Sequence, residues 1–182
     1  ADNTAVGFNV LSTNQTGSSN TAIGKSALSL NTGGSNVAVG RSALENNSTA
    51  SNNTAVGKDA LIANTTGHSL VAVGDSALKA NTTALANTAV GRAALEATTT
   101  GASNTAVGRS ALQVNTTGAE NVAVGLSALD ANTTGSNNVA VGRNALSGNT
   151  TAANNTAIGD SCMFLNTTGA NNTAVGNGAL IA

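Results

Sequence analysis

The chain has 182 residues and a net charge of −1; 40% of it is hydrophobic, 8% charged and 1% aromatic, with no Pro, Trp or Tyr, one Cys, one His and two Phe. A lone Cys and a lone His exclude a disulfide framework, a Cys-ligated zinc site and a His-rich metal centre. A near-neutral charge with so few aromatics excludes a nucleic-acid surface, no apolar run reaches the roughly 18 residues of a membrane span, and abundant aliphatics at low net charge exclude a disordered chain.

The first element from the N-terminus is Asn3-Thr4-Ala5-Val6-Gly7. Its last four residues, in the form [Thr/Val]-Ala-[Val/Ile]-Gly, return ending at Gly24, Gly40, Gly57, Gly74, Gly91, Gly108, Gly125, Gly142, Gly159 and Gly176. The interval is 17 residues except from Gly24 to Gly40, where one residue is missing near Gly34 and Ser35. The unit reads Asn-[Thr/Val]-Ala-[Val/Ile]-Gly-x-x-Ala-Leu-x-x-Asn-Thr-Thr-Gly-x-x. A fixed period marks a stacked repeat, and 17 residues are too few for the helix pair of helical repeats. The predicted fold is all-β: one domain over residues 1–182, a parallel β-solenoid of about eleven 17-residue coils. At about 4.8 Å per coil the rod is roughly 50 Å long.

Within a coil, Asn-Thr-Ala-Val-Gly alternates with period two and predicts a strand. The shorter segment around Ala-Leu is open between a second strand and a turn. Asn-Thr-Thr-Gly is turn chemistry; its Gly is replaced by Ala50, Ala84 and Ala152, so positive φ is not required there. The Gly of Ala-Val-Gly is never replaced, which predicts a sharp bend or a close backbone approach.

Stacking turns columns into ladders. The residue before each repeat Gly is Val or Ile, and the Leu column runs from Leu11 to Leu180 with Met163 as its one exception. Cys162 and Met163 therefore read as core fillers. Two Asn columns, Asn3 to Asn172 broken by Leu70 and Asn14 to Asn166 broken by Thr98, predict amide ladders that cap turns. The Asn-x-Thr triplets follow from the turn consensus and do not signal glycosylation. His68 lies in a turn without a recurring acidic partner, and no Ser/His/Asp or paired-carboxylate set is available, so neither catalysis nor a cofactor is expected.

Six of the seven basic residues follow the repeat Gly directly: Lys25, Arg41, Lys58, Arg92, Arg109 and Arg143. Asp75 and Asp160 share their column, and Glu45, Glu96 and Asp130 recur four positions on. The stripe is either a solvated face that keeps the rod soluble or a contact line for a polyanion or matrix protein; its six cations are the candidate partner-binding residues. No metal or catalytic residue is assigned.

A lone coil is expected to place about one Val, one Leu and two Ala inside, a thin core for its backbone entropy. Val and the strand-start Thr/Val share the face opposite the intervening Ala, so a second buried surface against identical chains about a shared axis is expected. Spacing alone does not choose three chains over two.

Asn36-Val37-Ala38-Val39-Gly40, Asn121-Val122-Ala123-Val124-Gly125 and Asn138-Val139-Ala140-Val141-Gly142 resemble the Asn-x-Val-Ala-Ile-Gly signature of YadA-like head repeats, found in trimeric autotransporter adhesins of Gram-negative bacteria. The resemblance covers the whole chain through eleven copies of a five-residue core, although these coils are longer than the family's. It implies a left-handed β-roll assembled as a homotrimer, on a stalk anchored in the outer membrane, binding host-cell surfaces or extracellular matrix. Repeats run to both ends without atypical capping units, so the chain is expected to be a piece of a longer surface protein, its anchor lying elsewhere and this part making no membrane contact. The alternatives are a phage or viral tail-fibre shaft and, third, an ice-binding solenoid; against the last, adjacent Thr-Thr side chains point in opposite directions.

Overall fold

The computed structural model describes residues 2–181. Eleven strands follow one another: β1 (Thr4–Val6), β2 (Thr21–Ile23), β3 (Val37–Val39), β4 (Thr54–Val56), β5 (Val71–Val73), β6 (Thr88–Val90), β7 (Thr105–Val107), β8 (Val122–Val124), β9 (Val139–Val141), β10 (Thr156–Ile158) and β11 (Thr173–Val175). They form one sheet in sequence order, every pair parallel and in register, so that Thr88, Ala89 and Val90 pair with Thr105, Ala106 and Val107. The chain is a parallel β-solenoid of about ten turns, and its described residues contain no helix. The missing residue of the second coil is absorbed in its turn, and β2 and β3 keep their register.

Each coil carries one strand of three residues, shorter than the five-residue strand expected, and the Ala-Leu segment is a turn. The cause is three left-handed residues per coil, such as Ala93 (φ 57), Leu95 (φ 52) and Ser103 (φ 60). Left-handed geometry costs a non-glycine residue about 1–2 kcal/mol. Burial of the Leu side chain, about 1.5–3 kcal/mol, offsets it, and the Leu95 N–H donates along the axis to Ala111 O at 3.0 Å. The turn glycines Gly67, Gly101 and Gly118 are not in the positive-φ region, as their replacement by Ala elsewhere implied.

The strand Ala and the Ala-Leu pair fill the interior; Ala89, Ala94 and Leu95 are fully buried, as are their counterparts in the coils between the two terminal ones. Cys162 and Met163 take these interior positions. The Val before the repeat Gly does not. Alternation turns it outward from so narrow a coil, leaving Ile23, Val90, Val107 and Ile158 more than a third exposed. The expected interior is therefore corrected to two Ala, one Leu and two Asn per coil.

Both Asn columns are buried between their terminal members. The amides of Asn121 and Asn132 donate to one carbonyl, Gly135 O, at 2.9 and 3.0 Å. The same brace closes other coils at Ala50 O, Gly67 O, Gly118 O and Ala152 O. Along the axis, Asn121 Oδ1 accepts the Asn138 N–H at 3.0 Å, and Asn132 Nδ2 donates to Asn115 Oδ1 at 2.9 Å. Leu70 and Thr98 break the two ladders on consecutive coils. The Thr98 hydroxyl donates to Asn115 O at 3.0 Å, leaving Asn81 Oδ1 buried without a partner. Asn149 Oδ1 is likewise unpartnered: the Asn166 amide makes the bond to its own turn carbonyl, Gly169 O, without the axial one.

The repeat glycines show both expected features. Gly24 has φ 129, and a Cβ there would sit 2.6 Å from Gly40 O. Gly24→Ala is expected to lower unfolding stability by more than about 2 kcal/mol, read as a lower urea midpoint. Thr98→Asn is expected to raise stability by about 1 kcal/mol, because it supplies the donor that Asn81 lacks; an unchanged or lower midpoint would contradict that account of the ladder.

Candidate functional site

The interior is closed and no cavity opens among the described residues, so candidate sites are outward columns. The repeat Gly turns the chain out of the sheet, and the next residue stands on the surface. Lys25, Arg41, Lys58, Arg92, Arg109 and Arg143 are all exposed there, one per coil, beside Asp75, Leu126 and Asp160. The structure thus brings the six predicted cations into one ribbon along the rod.

The ribbon is partly neutralised from within. Arg41 and Lys58 both approach Asp59, at 3.4 and 3.5 Å, and Lys58 also lies 4.0 Å from Asp75. Arg143 Nη2 donates to Asp160 Oδ2 at 2.8 Å and its Nε to Oδ1 at 3.3 Å. Among the described residues, Lys25, Arg92 and Arg109 have no ion pair within 4.0 Å. Reading the basic column alone missed Asp59, which stands one position further along, where most coils carry Ser. That replacement of Ser by Asp beside two cationic coils was the available signal.

Next to the ribbon runs the outer face of the sheet, in two rows: Thr or Val at the strand start, Val or Ile before the Gly. Every residue is β-branched and none is charged. On the opposite turns the two adjacent threonines do point differently. The first donates along the axis, as Thr116 Oγ1 does to Thr133 O at 3.0 Å, while the second, such as Thr117, is exposed.

Other candidates lead inward or stand alone. The Asn residues of the triplets at Asn64, Asn81, Asn115, Asn132 and Asn149 are fully buried, so they cannot accept a glycan in the folded chain. His68 is an exposed turn residue whose ring Nδ1 lies 3.3 Å from Ser69 Oγ. Among the described residues no group of three His, Cys, Asp or Glu is placed to hold a metal ion.

No protein-family model, curated protein or solved structure matches this chain. The surface columns must therefore be interpreted from their own chemistry. The Arg143 hydrogen bond holds the Asp160 carboxyl below its ordinary 3.8, aided by the Ser161 hydroxyl, and in turn raises the guanidinium of Arg143. A lowered carboxyl pKa supports the pair above the unfolded value and loses it as pH falls through the folded one. The Asp160 carboxyl carbon is expected to titrate below 3.8 by NMR and to move up in Arg143→Gln; because both groups are exposed, the unfolding midpoint stays nearly unchanged.

Proposed function

We propose that this chain is a non-catalytic, surface-displayed adhesive rod of the YadA-like head type, three copies of which associate through their strand faces and present the charged ribbons to host cells or extracellular matrix. The observation that carries this reading is the pairing of two unlike surfaces along one stiff axis. The strand face is uncharged and unbroken over eleven rungs. At roughly 50 Å by about 10 Å it covers about 500 Å², with one row wholly Val and Ile and the other mixing Val with Thr; exposed apolar surface on this scale marks interaction surfaces. Sister copies supply the matching face. The ribbon, two positions beyond the strand, remains outside that contact and recurs along the rod.

Binding by such a rod rests on many weak contacts held in fixed positions. Three chains with several charged coils each raise the effective concentration of the second contact once the first has formed. Display at the cell surface follows from this reading, with membrane anchorage supplied by other parts of the protein.

Light scattering of the purified chain is expected to give the mass of three copies. Val107→Lys with Val124→Lys is expected to give a monomer with unchanged far-ultraviolet circular dichroism. A monomeric wild type would remove the trimer. Reversing Arg41, Arg92, Arg109 and Arg143 to Glu is expected to weaken attachment to matrix-coated surfaces at least tenfold, and unchanged attachment would remove the ribbon as the contact line.

A further inference from the structure

The ribbon is uneven, and its unevenness singles out two residues. Where Asp59 approaches Arg41 and Lys58, the coils of Arg92 and Arg109 carry Ala93 and Ser110 in the equivalent column. Asp75, on the coil before, pairs with Lys58, and Leu126 occupies the column on the coil after. The carboxylate of Glu96 accepts from Gln113 Nε2 at 2.8 Å. Arg92 and Arg109 are therefore consecutive, exposed arginines with no ion pair within 4.0 Å among the described residues.

Their spacing is fixed by backbone bonds on both sides. The Gly108 N–H donates to Val90 O at 2.8 Å and the Ser110 N–H to Arg92 O at 3.0 Å. This holds the two Cα atoms about 5 Å apart, the separation of parallel strands. Two like charges so close repel one another, and an anion placed between them removes the repulsion. Guanidinium groups present forked donors suited to sulfate and carboxylate oxygens. At Arg41, Lys58 and Arg143 an incoming anion must instead displace a carboxylate already in place.

We infer that the Arg92–Arg109 doublet is the anion-binding subsite of the ribbon, taking a sulfate ester or uronate carboxylate of an acidic polysaccharide lying along the rod. The inference rests on the adhesive reading of the ribbon. Arginine clusters also take acidic peptide motifs, but such a peptide otherwise gains its further contacts in a groove or at a free strand edge, and neither lies beside this doublet, which favours an extended sugar chain. No cavity opens here, and β6 and β7 are paired on both sides.

The test compares wild type, Arg92→Ser/Arg109→Ser and Arg41→Ser/Arg143→Ser by calorimetric titration. The probes are a heparin-derived octasaccharide, an oligogalacturonate, an oligoglutamate as the acidic peptide, and inorganic sulfate. Both double variants remove two positive charges, so a pure net-charge effect weakens them equally. The doublet variant is expected to lose at least tenfold in affinity for the octasaccharide or the oligogalacturonate, and the other to stay within threefold of wild type. Equal losses, no binding by wild type, an acidic-peptide probe that binds more tightly, or sulfate binding as tightly as both oligosaccharides would overturn the proposal. A parallel attachment assay on matrix-coated surfaces separates the two readings. A rod that fails to attach yet binds the oligosaccharide through the doublet sinks the adhesive reading alone; a rod that attaches while both variants titrate alike sinks the subsite alone.

Discussion

The structure depends on one buried constraint: two Asn amides converge on a single turn carbonyl in coil after coil, as Asn121 and Asn132 do on Gly135 O. A coil of 17 residues encloses too little apolar volume to hold its shape by burial alone. Amide donors that would be costly to bury unpaired fix which residues face each other across the coil. Because most of these Asn side chains also bond a neighbouring coil, as Asn132 and Asn121 do, closure and stacking are enforced by the same side chains. The result is closer to a hydrogen-bonded lattice than to an oil drop, with Ala and Leu filling what space the amides leave.

The outer surface follows from that narrow interior. Only Ala fits the inward position of each strand, so the β-branched residues on either side of it must face outward. They form the uncharged, β-branched strand face that the chain exposes. The repeat Gly then lets successive backbones approach where no Cβ fits, and the next residue is carried clear of the sheet. Ribbon and strand face are thus adjacent consequences of one packing limit, which gives most coils one uncharged side and one charged corner.

Much of this was legible in the sequence. The 17-residue interval fixed the stacking, the invariant Gly announced close approach, and the Asn columns announced axial ladders. Left-handed Leu was not legible, since its side chain disfavours that geometry and only the burial and axial bond seen at Leu95 and Ala111 offset it. The direction of the Val column was half legible: alternation separated it from Ala, but which side was inside depended on coil width, which no single residue reports. In the ribbon, the row of cations was visible, whereas its neutralisation by Asp59 required knowing that neighbouring columns on adjacent coils come within ion-pair reach.

Leu70 and Thr98 interrupt different ladders on neighbouring coils near the midpoint of the rod, so two imperfect junctions lie side by side. In a one-dimensional stack the total strength is a sum over nearest-neighbour junctions, and separation begins at the poorest of them. A rod pulled along its length would accordingly yield at its waist rather than peel from a tip. Each half would retain several intact, fully braced turns able to close again when tension is released, a mechanical fuse written into two side chains.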